Sequence, residues 1–325
     1  MSHSVLVTGA FGNIGSRVVR HLLGAGHRVV AVDLKTPKTE ALAATFGAAI
    51  EPIWGNICDP VLWARALTGV DAVVHMAAII PPAADRNPAV TLAVNQTATL
   101  ELLKQMEQST TAKRLVFASS MTVAGHEQHL RTPPLKVDDE TQPTDLYGKT
   151  KLECERCIRA SGLRWTILRV AACPPTEMSF GGGASVIDVI FDTSPDGRIE
   201  AIHNDDAALA FANAVDCDAA IGKILFVGGG ESCRTYALDF YNRVLGASGL
   251  GPLRASAFRP GPPYFYGDWL DTAESQQLLA FQRHGIDDIV AELRASAGFK
   301  RPLLKLFAPL VNRMLERRSP YSAQK

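Results

Sequence analysis

Tyr147 and Lys151 stand four residues apart in the stretch LYGKTK, a spacing that puts both side chains on one face of a helix. A phenol with an ordinary pKa near ~10 is a poor base at neutral pH, and an ammonium beside it favours the phenolate. Such a pair can exchange a proton with an oxygen whose carbon is gaining or losing electrons. Upstream, the apolar run ending in Phe117-Ala118 leads into Ser119-Ser120-Met121-Thr122. A serine at the end of a strand can hydrogen-bond a carbonyl or its alcohol and stabilise the charge that develops there. Alone, either feature is common: Tyr-x-x-x-Lys arises by chance, and a serine pair often marks a turn. Their order gains weight from what lies at the start of the chain.

There, Val5-Leu6-Val7-Thr8 run directly into Gly9-x-x-Gly12-x-x-Gly15, and beyond the last glycine Val18, Val19, Leu22 and Leu23 recur at helical spacing. Strand, glycine-rich turn and helix start in that order form a pyrophosphate cradle: the glycines allow close backbone approach, and the helix N-terminus offers N–H groups to negative oxygens. The spacing departs by one residue from the usual G-x-G-x-x-G. The next strand-like run, Arg28 to Val32, ends on Asp33, about the ~20 residues past the turn where an acid that binds a ribose is expected. A dinucleotide cofactor follows, and with a nicotinamide cation bound, Tyr147 would be pushed further toward its phenolate. The carboxylate of Asp33 favours NAD over NADP, although Lys35 lies close by.

The elements that must position these residues read as an α/β fold, a doubly wound parallel sheet (Rossmann) with a smaller, loop-rich C-terminal substrate domain. Strand-like runs at Val5–Thr8, Arg28–Asp33, Ala49–Trp54, Ala72–Ala77, Arg114–Ser119 and Trp165–Arg169 alternate with helical stretches. Pro52 falls within the third run, which the order 3-2-1-4-5-6 puts at an edge, where proline is tolerated. Residues 1–172, joined by about 199–230, read as the cofactor domain, and 173–198 with 231–325 as the substrate-binding region. Later, Ala207–Val215 reads as a helix, Lys223–Val227 as a strand and Thr235–Leu245 as a helix.

Composition excludes several classes. The 325 residues carry formal net charge +0, so no overall field draws the chain to nucleic acid. At 47% hydrophobic residues, disorder is excluded, and no apolar run is long enough to span a bilayer. Met1 to Ser4 lead straight into the first strand, leaving no room for a signal peptide, and a cytoplasmic location is expected. Cys154-x-x-Cys157 lies in a helical stretch without a second Cys or His pair, so packed thiols are expected and no metal. Near the C-terminus, Leu303, Leu306, Phe307, Leu310, Val311 and Met314 share a helix face with Lys300, Arg301, Lys305, Arg313, Arg317 and Arg318 about it. Peripheral membrane contact through 300–318 is the lesser reading of this basic amphipathic helix; packing on its own domain or a partner subunit is favoured.

Taken together, these motifs resemble the extended short-chain dehydrogenase/reductase family, the NAD-dependent epimerase/dehydratase group. TGAFGNIG is similar to its T-G-x-x-G-x-x-G turn, HMAA (His75 to Ala78) to its H-x-A-A, SSMTVAG to its S-S-x-x-V-Y-G, YGKTK to its Y-x-x-x-K and IHNDDAALA to its I-H-V-x-D-x-A. The resemblance covers the chain to about residue 230. It implies a catalytic set of Ser120, Tyr147, Lys151 and Asn95: Tyr147 as acid/base, Lys151 holding the nicotinamide ribose, Ser120 polarising the C–O group, and Asn95 in the following helix. Gly9, Phe11, Gly12, Asn13, Ile14 and Gly15 would carry the pyrophosphate, Asp33 the adenosine ribose, Asn56 and Ile57 the adenine, with Ala77 and Ala78 passing beside the cofactor. A homodimer through helices around Asn95 and Tyr147 is implied in the same way.

Departures narrow the substrate. Met121-Thr122 stand where sugar-nucleotide dehydratases carry an Asp-Glu pair, Ala124 replaces the tyrosine of V-Y-G, and LRVAACPPTE lacks the aromatic-Asn stretch common in nucleotide-sugar epimerases. Ile80, Met121, Thr122, Phe180, Tyr264 and Trp269 are the candidate pocket residues, apolar walls with few polar groups. The expected reaction is NAD-dependent interconversion of a secondary alcohol and a ketone on a bulky, weakly polar substrate. A sugar or nucleotide-sugar epimerase and a non-catalytic NAD-binding sensor are the alternatives.

Overall fold

The computed structural model describes residues 2–174, 189–298 and 300–322. Seven apolar, largely β-branched stretches pair in parallel. They are β1 (Ser4–Thr8), β2 (Arg28–Asp33), β3 (Ile50–Trp54), β4 (Ala72–His75), β5 (Arg114–Ser120), β6 (Arg164–Val170) and, after a short strand β7 (Arg198–Glu200) outside this sheet, β8 (Lys223–Val227). Their order is β3-β2-β1-β4-β5-β6-β8. Pro52 sits on β3 at the sheet's edge, opposite Ala31, where its missing N–H leaves no inner ladder bond unmade.

Side chains alternate across the sheet and both faces are covered, as an all-parallel sheet requires. Val5, Val7 and Val29 point into one buried cluster with Val18 and Leu22 of α1 (Gly15–Gly24) and, from further along the chain, Phe211. After α2 (Pro37–Ala44) comes α3 (Pro60–Ala66), whose Trp63 packs with Leu6 and Val30 in the opposite cluster. Short helices α4 (Ala83–Arg86) and α5 (Pro88–Leu92) run through a π-helical turn, Ala93–Thr97, into α6 (Ala98–Gln108). Leu102 of α6 and Ile158 of α7 (Leu146–Ala160) complete that second layer.

Most boundaries lie within a few residues of those expected; two differences have a clear physical cause. Strand β4 stops at His75 and not Ala77, because the Thr8 hydroxyl accepts the Met76 and Ala77 amides at 3.1 and 3.2 Å and takes them from the ladder. Thr235 belongs to strand β9 (Arg234–Tyr236), not to a helix; β9 pairs antiparallel with β7. The fully buried Glu200 on β7 accepts from Arg234 Nε, Leu270 N and Gly230 N, which ties this small sheet to the C-terminal segment. Helix α8 (Asn204–Asp216), which carries Phe211, covers α1, and α9 (Ala237–Ala247), α10 (Ala273–Leu279), α11 (Ile286–Ala297) and α12 (Lys300–Glu316) follow. No described helix is long and apolar enough to cross a membrane.

Helix α7 is anchored to the sheet by a buried ion pair. Arg169 on β6 donates to both carboxylate oxygens of Glu155, at 3.0 and 2.7 Å, and Ser119 on β5 donates to Oε1 at 2.5 Å. Both charged side chains are almost wholly out of water, so each depends on the other. Glu155→Ala is expected to lower stability by about 3–5 kcal/mol through the stranded guanidinium. The double change Glu155→Met with Arg169→Met should cost distinctly less, and urea unfolding midpoints check both.

Candidate active site

The N-terminus of α7 is fixed by Asp145, whose Oδ1 accepts the Gly148 amide at 2.7 Å. Gly148 is required here: a Cβ would lie 2.9 Å from Pro143 and 3.0 Å from the Thr122 carbonyl oxygen. The absence of a side chain lets the helix close onto the turn Met121–Ala124, and Tyr147 and Ser120 come together. Ser120 Oγ accepts from Thr122 N at 3.2 Å and from Thr122 Oγ1 at 3.0 Å, which leaves its own proton to donate, and the Ser120 hydroxyl favours the Tyr147 phenolate. One turn on, Lys151 is buried, donates to the Ala118 carbonyl at 2.7 Å, and lies 4.8 Å from the Phe117 ring centre and 5.6 Å from that of Tyr147.

Burial controls the charges. It lowers the Lys151 pKa from 10.5 to about 8, partly opposed by Cys154 and Glu155. Burial also pushes the Tyr147 phenol above its ordinary value; the Ser120 hydroxyl works against this and the Asp145 charge adds to it. The ammonium therefore does not by itself produce a phenolate, contrary to the simple pairing argument, because desolvation of the phenolate is the larger effect.

The glycine turn lies at the carboxyl ends of β1 and β4. Gly9 has φ +65°, and a Cβ there would press on Ala77 N at 3.0 Å, so Ala77 passes directly over the turn with Ala78 after it. At Gly15 a Cβ would stand 2.0 Å from the Gly9 carbonyl oxygen; only glycine lets α1 begin against β1. At Gly12 a Cβ would meet, beyond its chain neighbours, the Gly9 carbonyl oxygen at 3.2 Å, and the Gly12 amide donates to that same oxygen at 3.0 Å, which closes the turn. Asp33 accepts from Phe11 N and Leu34 N, both at 2.8 Å, an arrangement that aims its remaining lone pairs outward beside the turn. The Gly55 amide donates to the Asp33 carbonyl at 3.1 Å, which brings exposed Asn56 and buried Ile57 to the same end of the sheet. Asn13 binds Asn204 of α8 at 3.0 Å, and Ile14 precedes the helix. Lys35 is turned to Glu40, 3.3 Å away.

Asn95 is almost wholly buried, and its amide group is used on one backbone residue: Oδ1 accepts Ile79 N at 2.7 Å and Nδ2 donates to Ile79 O at 2.8 Å. It fixes the loop after β4. A chain of hydroxyls and a histidine, which spacing alone does not reveal, connects it to the glycine turn. Thr99 donates to the Asn95 carbonyl at 2.9 Å, so it must accept from His75 Nε2, also 2.9 Å away. His75 Nδ1 then accepts from Thr8, 2.7 Å away, whose oxygen takes the two amides after β4. Burial, with the Lys151 charge, lowers the His75 pKa to about 3 and keeps the ring neutral, as this chain of donors needs.

Of the pocket candidates, Phe180 lies outside the described residues. Ile80 is exposed on the loop after β4, and Thr122 holds Ser120. Met121 is buried with its Sδ against Gly267, where a Cβ would come within 2.3 Å. Trp269 donates to the Thr235 carbonyl at 3.2 Å and packs on Tyr236, a place in the small sheet. Tyr264 is linked to α7 through a residue the sequence reading missed: its hydroxyl meets His126 Nδ1 at 2.8 Å, and His126 Nε2 lies 3.6 Å from Asp145 Oδ2. Burial opposes the Asp145 charge, yet the nearby His126 ring and the Gly148 amide outweigh it and hold the carboxyl below its ordinary pKa. Glu155 was also missed, although its place four residues after Lys151 put it on the same helix face.

Residues 5–173 match the NAD dependent epimerase/dehydratase family, and the chain belongs to that family. It is 32% identical over 176 residues, 51% of the chain and 50% of the relative, to a UDP-glucose 4-epimerase of Lactobacillus helveticus. It is 27% identical over 270 residues, 75% of the chain and 69% of the relative, to a 3 beta-hydroxysteroid dehydrogenase/Delta 5-->4-isomerase of Mycobacterium tuberculosis. The chain spans about half the length of the UDP-glucose 4-epimerases it matches. Its fold is shared with a UDP-glucose-4-epimerase from Stenotrophomonas maltophila holding NAD and formylated UDP-arabinopyranose, at TM-score 0.75 and 22% identity over 93% of this chain and 99% of that one. It is shared equally with a short-chain dehydrogenase/reductase superfamily protein from Agrobacterium tumefaciens with bound NAD, at TM-score 0.73 and 22% identity over 94% and 99%.

Lys151 offers a check on this electrostatic reading. Its folded pKa of about 8 lies below its ordinary 10.5, so between those values the unfolded chain binds more protons and stability attributable to this group rises with pH. Compared with Lys151→Met, the intact chain should gain on the order of 2 kcal/mol in relative stability between about pH 7.5 and about pH 9.5. Paired denaturant titrations at the two pH values measure it, and a flat difference would contradict it.

Proposed function

We propose that this member of the NAD dependent epimerase/dehydratase family is an NAD-dependent oxidoreductase that interconverts a secondary alcohol and a ketone on a bulky, weakly polar substrate. The convergence of Ser120, Tyr147 and Lys151 at the carboxyl end of β5 carries the reading. The tight Gly9–Gly12 turn ahead of the α1 N-terminus, the close passage of Ala77 over Gly9 and the Asp33 carboxylate held beside the turn fit a nicotinamide dinucleotide. Gly9, Phe11, Gly12, Asn13, Ile14 and Gly15 would hold its pyrophosphate, Asp33 its adenosine ribose, Asn56 and Ile57 its adenine, and Lys151 the nicotinamide ribose. Bound NAD supplies the hydride acceptor for the alcohol, or in its reduced form the donor for the ketone.

The protein's own residues manage the oxygen and its proton. Ser120, held by Thr122, presents one hydroxyl proton toward the reacting oxygen. Tyr147 exchanges the substrate proton at its phenolic oxygen. Because burial disfavours its phenolate, Lys151 and the positive ring of the oxidised cofactor must together supply the opposing field. Asn95 positions the loop after β4 by holding Ile79 at both backbone groups. Residues 1–172 with 199–230 form the cofactor region and 173–198 with 231–325 the substrate region in this proposal.

The substrate class is supported by the apolar Ile79–Ile80 loop and by Met121-Thr122 after Ser120, where no carboxylate stands to drive elimination. Similarity to a protein named as a hydroxysteroid dehydrogenase also runs well past the cofactor half. Higher identity to UDP-glucose 4-epimerases favours a second reading, epimerisation without net redox, but it is confined to about half the chain.

Scanning secondary alcohols, hydroxysteroids among them, for NADH formation at 340 nm separates the two readings. Turnover is expected there, whereas interconversion of UDP-glucose and UDP-galactose with no net NADH would favour the epimerase. Tyr147→Phe should reduce turnover at least ~10²-fold with NAD affinity unchanged within a few-fold; full activity would end the mechanism. Asp33→Ala should weaken NAD binding and relax discrimination against NADP, read as the ratio of the two dissociation constants.

A further inference from the structure

Helix α12 has two apolar faces and uses only one. On the inner face Ala308 and Asn312 are buried, and Leu315 packs against the cluster built on Phe191, Leu250 and Phe258, as does Val311, which the sequence pattern places on the same face as Leu310 and Met314. Asn312 Nδ2 donates to the Pro252 carbonyl at 3.4 Å and Glu316 pairs with Arg254 at 3.2 Å, so this side of the helix is packed into the domain. At 100° per residue, Leu303, Leu306, Phe307, Leu310 and Met314 fall on the other side. They are 60, 73, 51, 69 and 58% exposed. The other exposed large hydrophobic side chains among the described residues are scattered along the chain; these five form one continuous ridge.

Charge states what that ridge fits. Arg313 and Arg317 border it on one edge and Arg318 on the other, all three exposed and without an acidic partner among the described residues. Glu316, the one acid of the helix, faces inward. Arg313 and Arg317 also line a cavity of about 940 Å³ together with the segment 254–261, whose Arg254 and Arg259 are paired with Glu316 and Asp192. Three arginines unpaired among the described residues, along the edges of an apolar ridge, match a layer of anionic headgroups over acyl chains. A second copy of the chain would bring the same arginine edges against each other in a two-fold contact, and like charges oppose that.

We infer that α12 docks the protein on an anionic lipid surface, lying in the plane of the interface with Leu306, Phe307 and Leu310 inserted and the arginine edges on the headgroups. The helix is 17 residues long with Pro309 inside it, and it does not span a bilayer. Apolar insertion and cationic attraction are both needed, since either alone gives weak attachment.

Co-sedimentation of the full chain with phosphatidylcholine vesicles, with and without phosphatidylserine, tests this. Binding to the anionic vesicles is expected, at least about tenfold stronger than to the neutral ones and weakened by added salt. Leu306→Ser with Leu310→Ser should reduce it by at least about tenfold, and Arg313→Ser or Arg317→Ser by about fivefold each. These positions are exposed, so circular dichroism and the melting temperature should be unchanged. The inference is overturned if the intact chain stays in solution with phosphatidylserine vesicles. It is equally overturned if sedimentation equilibrium shows a dimer that the double leucine variant splits into monomers.

Discussion

An ammonium held out of water is the constraint on which the site depends. Lys151 reaches from α7 to the Ala118 carbonyl on β5, and this contact is possible only if the helix lies hard against the end of the strand. The same approach brings Tyr147 to Ser120. It has a cost, because an isolated buried cation is unfavourable, and the surroundings are arranged to bear it: the Phe117 ring lies under the charge and Glu155 stands one turn away. Glu155 is in turn held by Arg169 from β6, so the reactive end of α7 and its anchor form one connected set of charges across two strands.

A second buried network sets the opposite wall. Thr8, His75, Thr99 and Asn95 hand hydrogen bonds from the glycine turn to the loop after β4, and the direction of each bond follows from the one before it. Neutral His75 is essential to this chain, and the nearby Lys151 charge reinforces that neutrality. The two networks thus support each other: the buried Lys151 ammonium that sits beside Tyr147 also keeps His75 in the neutral form that closes the glycine turn.

The C-terminal region adds a different kind of constraint. Glu200, Arg234 and the Leu270 amide fasten the small sheet, and Tyr264 touches the cap of α7 through His126. The C-terminal segment is therefore in direct contact with the start of the helix that bears Tyr147. Helix α12 stands apart from this, its inner face completing the core and its outer face left exposed.

Much of this was legible in the chain itself. Apolar strand-like runs alternating with helical stretches give the parallel sheet, the glycine spacing gives the turn, and Pro52 marks the edge strand, because each depends on local geometry and on burial. The pairing of Tyr147 with Lys151 follows from helical spacing alone. Tertiary structure decided the rest. That β4 ends at His75 depends on a hydroxyl from another strand; that the phenol is pushed up and not down depends on how much water is excluded around it. Which face of α12 meets the core also lies beyond the pattern, since two apolar faces look alike until one of them is covered. Local periodicity specifies elements and candidate residues, whereas desolvation and long-range hydrogen bonds, which exist only once distant segments meet, set their charges and their partners.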